Sequence, residues 1–248
     1  MVLTATKGAL GFLTRLPTGR SEAAWTAFSE TPAAFPLAGW VVGALAATPL
    51  AAAALVPIPS PTAAFGYLLA LYAVTGVNHA DGVADLGDAA VVHGDPEDRR
   101  AVLKDTEVGV GAALALGLVL VGLALAALSL AGLPLSAAVT IAVAAEVGAK
   151  AGMAALACLG DPAFEGLGSA FTDNDPAALV APVLVAAPVA LLGPAAVAAL
   201  AAAVGVALAL LSWAETRLGG VNGDVFGATN ELARLAGLHL GVVAWTLW

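Results

Sequence analysis

The sequence predicts an all-α fold: a polytopic membrane helical bundle of about seven transmembrane helices, preceded by an N-terminal interfacial helix. Three observations predict it. The chain is 60% hydrophobic and only 11% charged, whereas soluble domains carry about 25% charged residues. Its mean hydropathy is +0.95. Several apolar runs approach the about 20 residues needed to cross the hydrocarbon of a bilayer. The 248 residues read as one integral-membrane domain, residues 1–248, with an interfacial segment at 1–32 and an Asp-rich segment at 78–107.

In residues 1–32, Ala9, Leu10, Phe12, Leu13 and Leu16 recur at rough helical spacing beside Lys7 and Arg15. That pattern suits a short helix lying in the membrane interface. Pro17 and Gly19 end it. Ala33 to Val56 is uncharged, with Pro36 early and Trp40 near one interface, and reads as the first span. Pro57, Pro59 and Pro61 form a turn. Residues 62–77 form a second helix, short for a span unless it continues into the aspartate segment. Gly109 to Ala131 is a third span, turned by Gly132-Leu133-Pro134, and residues 135–158 are a fourth. A polar loop follows at 159–176. Residues 177–193 and 195–213 are the fifth and sixth spans, joined at Gly193-Pro194, with Pro182 and Pro188 kinking the fifth. Residues 214–231 are polar, and 232–248 form a seventh span ending in Trp245 and Trp248. The many Ala and Gly residues allow helices to pack closely in lipid. No internal repeat and no secretory signal are expected.

The cations partition cleanly. Lys7, Arg15, Arg20, Arg99, Arg100, Lys104, Arg217 and Arg234 fall on one side of the seven-span arrangement, and Lys150 lies within the fourth span. Positive charge marks the cytoplasmic side. The N terminus and the loops 78–107, 159–176 and 214–231 therefore meet at the cytoplasmic face of the cell membrane. A net charge of −9 does not signal a nucleic-acid partner, which needs a basic surface, and none is expected. The one cysteine, Cys158, excludes an internal disulfide and reads as a small packing residue.

The chemistry concentrates in Asn78-His79-Ala80-Asp81-Gly82-Val83-Ala84-Asp85-Leu86-Gly87-Asp88. A helix advances about 100° per residue, so Asp85 and Asp88 sit at about 40° and about −20° from Asp81. Three carboxylates on one face repel each other. A divalent cation whose shell is completed by phosphate oxygens offsets that repulsion; the alternative is a solvated acidic helix start. In the following segment, Arg99, Arg100 and Lys104 either anchor the chain at the membrane or bind phosphate, with Asp105 available to the metal. Glu146 and Lys150 stand at i and i+4 inside the fourth span: either they form a buried ion pair, with Lys150 near enough to the cytoplasmic end to snorkel, or they are functional, as costly intramembrane ionisable residues often are. Gly219-Gly220-Val221-Asn222-Gly223-Asp224 allows a ligand to approach the backbone closely, and Asn230 and Glu231 follow at helical spacing. His79 is a capping residue, a carboxylate-orienting residue or a base. His93 and His239 carry weaker signals. Ser and Cys nucleophile patterns, a Walker loop and a dinucleotide fingerprint are absent.

These residues resemble the cobalamin synthase family, the adenosylcobinamide-GDP ribazoletransferases, along nearly the whole chain. Five phrases occur in order. They are Phe12-Leu13-Thr14-Arg15-Leu16-Pro17; His79 through Asp88; Arg99 through Gly111; Glu165-Gly166-Leu167-Gly168 with Phe171; and Gly219 through Ala228. Lys150 and Asn222 stand where many members carry Arg and Thr.

The resemblance implies a transferase of late cobalamin biosynthesis. A ribose hydroxyl of α-ribazole, or of its 5′-phosphate, attacks the corrinoid-side phosphorus of adenosylcobinamide-GDP, and GMP leaves. It implies Mg²⁺ on Asp81, Asp85 and Asp88, with Asp105 nearby. Phosphate binding falls to Arg99, Arg100 and Lys104, and substrate contacts to Lys150 and Asn222. The proton acceptor is one of Asp88, Asp224 and His79. The expected partners are the two substrates and the lipid bilayer, with homo-oligomerisation left open. Rival readings are a CDP-alcohol phosphotransferase, in which Arg would replace Asp85; a membrane prenyltransferase; and a transporter built around Glu146 and Lys150.

Overall fold

A computed structural model describes residues 1–19, 21–105 and 107–248. Arg20, one of the one-sided cations, and Thr106, inside the Arg99–Gly111 segment, lie outside the described residues. Among the described residues all regular structure is helical, apart from one isolated bridge between Pro162 and Val221.

The interfacial segment forms a hairpin of two helices, α1 (Val2–Leu13) and α2 (Glu22–Ser29). Only one helix was expected there. The second is marked by Ser21, whose side chain accepts from the Ala24 backbone N–H and caps α2. α3 (Ala34–Ala46) and α4 (Thr48–Ala53) follow as one nearly continuous apolar rod. α5 (Ser60–Thr75) stops at Gly76, where φ is +74°, a backbone conformation that glycine adopts without strain. The chain then turns by 94° into α6 (Asn78–Val91). α6 thus runs across the direction of α5.

α7 (Pro96–Val102) opens with a capping box between Asp95 and Asp98. α8 (Val110–Ala131) and α9 (Leu135–Leu159) are long and apolar. The segment after the 159–176 loop is broken into a 3₁₀ turn (Pro176–Leu179), α10 (Val180–Ala186) and a second 3₁₀ turn (Ala187–Leu192). α11 (Pro194–Arg217) and α12 (Gly223–Leu247) complete the bundle.

Among the described residues, four segments are long and apolar enough to cross a membrane: Ala34–Ala53, Val110–Ala131, Leu135–Leu159 and Pro194–Arg217. The bent pair α5–α6 makes a fifth only if counted as one broken span. The helices lie where the sequence places the seven spans, but three of the seven fall short of this test. α5 has 16 residues. The 177–193 segment is divided at its prolines, which cannot donate to a continuing helix. α12 carries Asp224, Asn230, Glu231 and Arg234 along its first half.

α9 is the centre of the bundle. It is almost wholly buried and packs against α3, α11 and α12. Small residues permit this. A Cβ on Gly39 of α3 would lie 2.8 Å from the Glu146 carbonyl oxygen, and one on Gly148 would lie 2.7 Å from Ala203 Cβ. α8 instead exposes Leu114, Leu118 and Leu125, as a lipid-facing helix would.

Candidate active site

α6 crosses the start of α12 at Gly82, with no room for a side chain. A Cβ there would lie 2.5 Å from the Asp224 carbonyl oxygen and 3.0 Å from the Ala228 nitrogen. The crossing brings Asp81 and Asp85 to Asp224. Asp224 is held by Asn222, whose Nδ2 donates to Asp224 Oδ2 at 2.9 Å. Asn222 is itself buried and caps α12, accepting from Val225 N at 3.0 Å. The Gly219-Gly220 turn before it has positive φ at both residues, +74° and +143°. It is pinned to the 159–176 loop by Val221 N donating to Asp161 O and Ala163 N donating to Val221 O, at 2.8 and 2.9 Å.

None of Asp81, Asp85, Asp88 and Asp224 has a Lys or Arg partner among the described residues. Burial, then the charges of Asp224, Asp81 and Asp88, push the Asp85 carboxyl up to about 6. Burial also raises that of Asp224, against the Asn222 hydrogen bond. The site is a concentration of unneutralised hard oxygen donors, which fits Mg²⁺. Among the described residues, no three Asp, Glu, His or Cys side chains converge closely enough to enclose a metal alone. Substrate oxygens would have to complete such a shell.

Other expected site residues make structural contacts. Asp88 turns to the start of α8, where its oxygens accept from Gly109 N at 2.7 Å and Ala112 N at 2.9 Å. Arg99 is buried and donates to Ala89 O and Ala90 O, at 2.8 and 3.4 Å, closing the end of α6. Arg100 donates to Leu218 O at 2.8 Å, closing α11. Lys104 is exposed and lies over the Phe164 ring, 5.4 Å from its centroid. Asp105 is exposed and accepts from Glu107 N at 3.2 Å.

Lys150 is fully buried, away from the aspartate face, in a network the sequence only partly announces. Its Nζ donates to Glu146 Oε2 at 2.5 Å. Arg234 also donates to both oxygens of Glu146 and, through Nη1, to Glu231 Oε1 at 2.5 Å. Two acids and two bases balance in the core, as buried charges must. Arg234 is therefore wholly buried, where the sequence reading put it among the face-marking cations. The clue was available: Glu231 and Arg234 stand at i and i+3, a second acid–base pair like Glu146 and Lys150.

The network ends at His79. Asn230 Nδ2 donates to Glu231 Oε1 at 3.0 Å and lies 3.0 Å from His79 Nδ1. A carboxylate only accepts, so the Asn230 amide must present its NH₂ to Glu231. The second hydrogen of that NH₂ makes His79 Nδ1 an acceptor. Burial also lowers the His79 imidazole to about 4. The ring is then neutral with its proton on Nε2, and Nδ1 is not free to act as a base.

Residues 5–242 match the cobalamin-5-phosphate synthase family. Three similar proteins are named adenosylcobinamide-GDP ribazoletransferase. That of Halorubrum lacusprofundi is 54% identical over 259 residues, covering 99% of each chain. That of Haloquadratum walsbyi is 44% identical over 256 residues, covering 100% of each. That of Halobacterium salinarum is 57% identical over 194 residues, covering 77% of this chain and 98% of its own. No solved structure matches the chain.

Proposed function

We propose, because the chain belongs to the cobalamin-5-phosphate synthase family, that it is the transferase of cobalamin synthesis that joins adenosylcobinamide-GDP to α-ribazole or its 5′-phosphate. One observation carries the assignment to a site. Asp81, Asp85 and Asp224 meet at the α6–α12 crossing with no Lys or Arg partner among the described residues, and Asp85 is held up at about 6 by burial and by its neighbours' charges. Such a face waits for cationic charge that arrives with substrate.

In the transfer, a ribose hydroxyl oxygen forms a bond to the corrinoid-side phosphorus. The bond from that phosphorus to the bridging oxygen breaks, and GMP leaves with the electron pair. Asp224 accepts the hydroxyl proton. It is chosen because both Asp88 oxygens are engaged at the start of α8, and because His79 Nδ1 already accepts a hydrogen bond. The exposed Lys104 ammonium would meet the phosphate charge as a donor. Asp81 and Asp85 would hold Mg²⁺, which when bound neutralises diphosphate charge and stabilises the leaving phosphate. In this reading the chain is a multi-pass protein of the cell membrane, crossing seven times. The aspartate face lies on the cytoplasmic side, supported by the one-sided cations and the positive-inside rule.

The test is turnover by the purified protein. Adenosylcobinamide-GDP, α-ribazole and Mg²⁺ together are expected to yield GMP and the cobalamin product. CMP release from a CDP-alcohol, with no GMP from the corrinoid substrate, would reject the assignment.

A further inference from the structure

Beside the start of α6 lies a cavity of about 630 Å³ that the transfer chemistry leaves unused. This is the size of a small-ligand pocket, usually about 300–1,000 Å³. Its walls combine two aromatic rings, Phe12 and Trp25, with three polar side chains, Ser21, Glu22 and Asn78. The rings stand 5.0 Å apart between centroids and belong to a larger cluster with Phe28, Phe35 and Phe171. A second cavity of about 480 Å³ shares Phe12 and Asn78 and adds Arg15. Arg15 is exposed and has no carboxylate partner among the described residues. Asn78 lines both cavities and stands three residues before Asp81 on α6, the helix that carries the aspartates.

We propose that the larger cavity is the guanine pocket for the GDP half of the substrate, with Phe12 and Trp25 holding the base by stacking and Ser21 and Glu22 reading its edge. Guanine presents, side by side, one acceptor (O6) and two donors (N1–H and the N2 amino group). A carboxylate only accepts, so Glu22 suits the two donors. Ser21 Oγ already accepts from Ala24 N at 3.2 Å, and its O–H remains to donate to O6. Adenine reverses this edge, setting an N1 lone pair against the carboxylate. The benzimidazole of α-ribazole has no N–H to offer, so Glu22 would do nothing for it. Arg15, in the adjoining cavity, meets the guanosine-side phosphate.

This rests on the transfer releasing GMP, and two measurements keep the two ideas apart. Equilibrium binding of GMP and AMP to the solubilised full-length protein reads the cavity without turnover; steady-state kinetics reads the transfer. GMP is expected to bind at least tenfold more tightly than AMP. Glu22→Gln is expected to weaken GMP binding and raise the KM for adenosylcobinamide-GDP about tenfold, leaving the KM for α-ribazole unchanged. Glu30→Gln, at the other end of α2, should alter neither. Glu22-dependent GMP binding without turnover would uphold the pocket and overturn the transferase reading. Equal binding of GMP and AMP, or a Glu22→Gln effect confined to α-ribazole, would overturn the guanine pocket.

Discussion

Asp85 is ionised at neutral pH at a cost, because burial and three nearby aspartates favour its protonated form. A carboxyl held at about 6 when folded and 3.8 when unfolded destabilises the metal-free protein fully above about pH 6. That penalty fades as pH falls through about 6 and is gone below the unfolded value. Asp85→Asn should therefore melt higher than wild type at pH 7 without Mg²⁺, and the gap should close by pH 4. Saturating Mg²⁺ should reverse the order at pH 7 by stabilising only the wild type; thermal unfolding in detergent reads all three. Glu146 makes the opposite case. Glu146→Gln strips Lys150 and Arg234 of a shared partner in the dry core. Breaking such a buried pair costs about 3–5 kcal/mol, and the double change Glu146→Gln with Lys150→Gln should recover part of it. Of these residues, the aspartates and the Glu146–Lys150 pair were legible in the sequence from spacing alone. That Asp88, Arg99 and Arg100 finish helix ends was not, because each acts on a backbone group 9 to 118 residues away.

At the scale of elements, the site depends on how closely α6 approaches α12. Gly82→Val places a branched side chain against the Asp224 carbonyl and the Ala228 nitrogen. Overpacking of this kind costs about 1–3 kcal/mol, and the aspartates should move apart from Asp224. Activity is expected to fall at least 100-fold while the protein still purifies as a folded monodisperse species. Gly117→Ala on α8 meets nothing within 4 Å and should leave both activity and stability unchanged. Most helices were legible from apolar runs bounded by Pro and Gly. α2 was not, because eight residues with a single capping Ser carry little periodicity. The 94° turn between α5 and α6 was not read either, since Gly76 marks a break without giving its angle.

For the whole molecule, the sequence specifies a helical membrane protein whose polar loops share a face, and the fold assembles its aspartates from two such loops, 78–107 and 214–231. Span number was the least legible feature. Length and apolarity separate lipid-facing helices such as α8 from soluble ones, but α12 is polar at one end because it supplies both site and buried network. The seven-crossing topology is checked with single cysteines in a Cys158→Ser background. A membrane-impermeant maleimide should label His93→Cys only from the cytoplasmic side and Ser136→Cys only from outside. The transfer is proposed to run on the Asp81–Asp85–Asp224 face with Mg²⁺. The most direct test is GMP release from adenosylcobinamide-GDP and α-ribazole by wild type and Asp85→Ala, each with and without Mg²⁺. Release by wild type with Mg²⁺ alone, at least 1,000-fold above the other three conditions, is the expected result (about 4 kcal/mol of barrier); full activity in Asp85→Ala would contradict it.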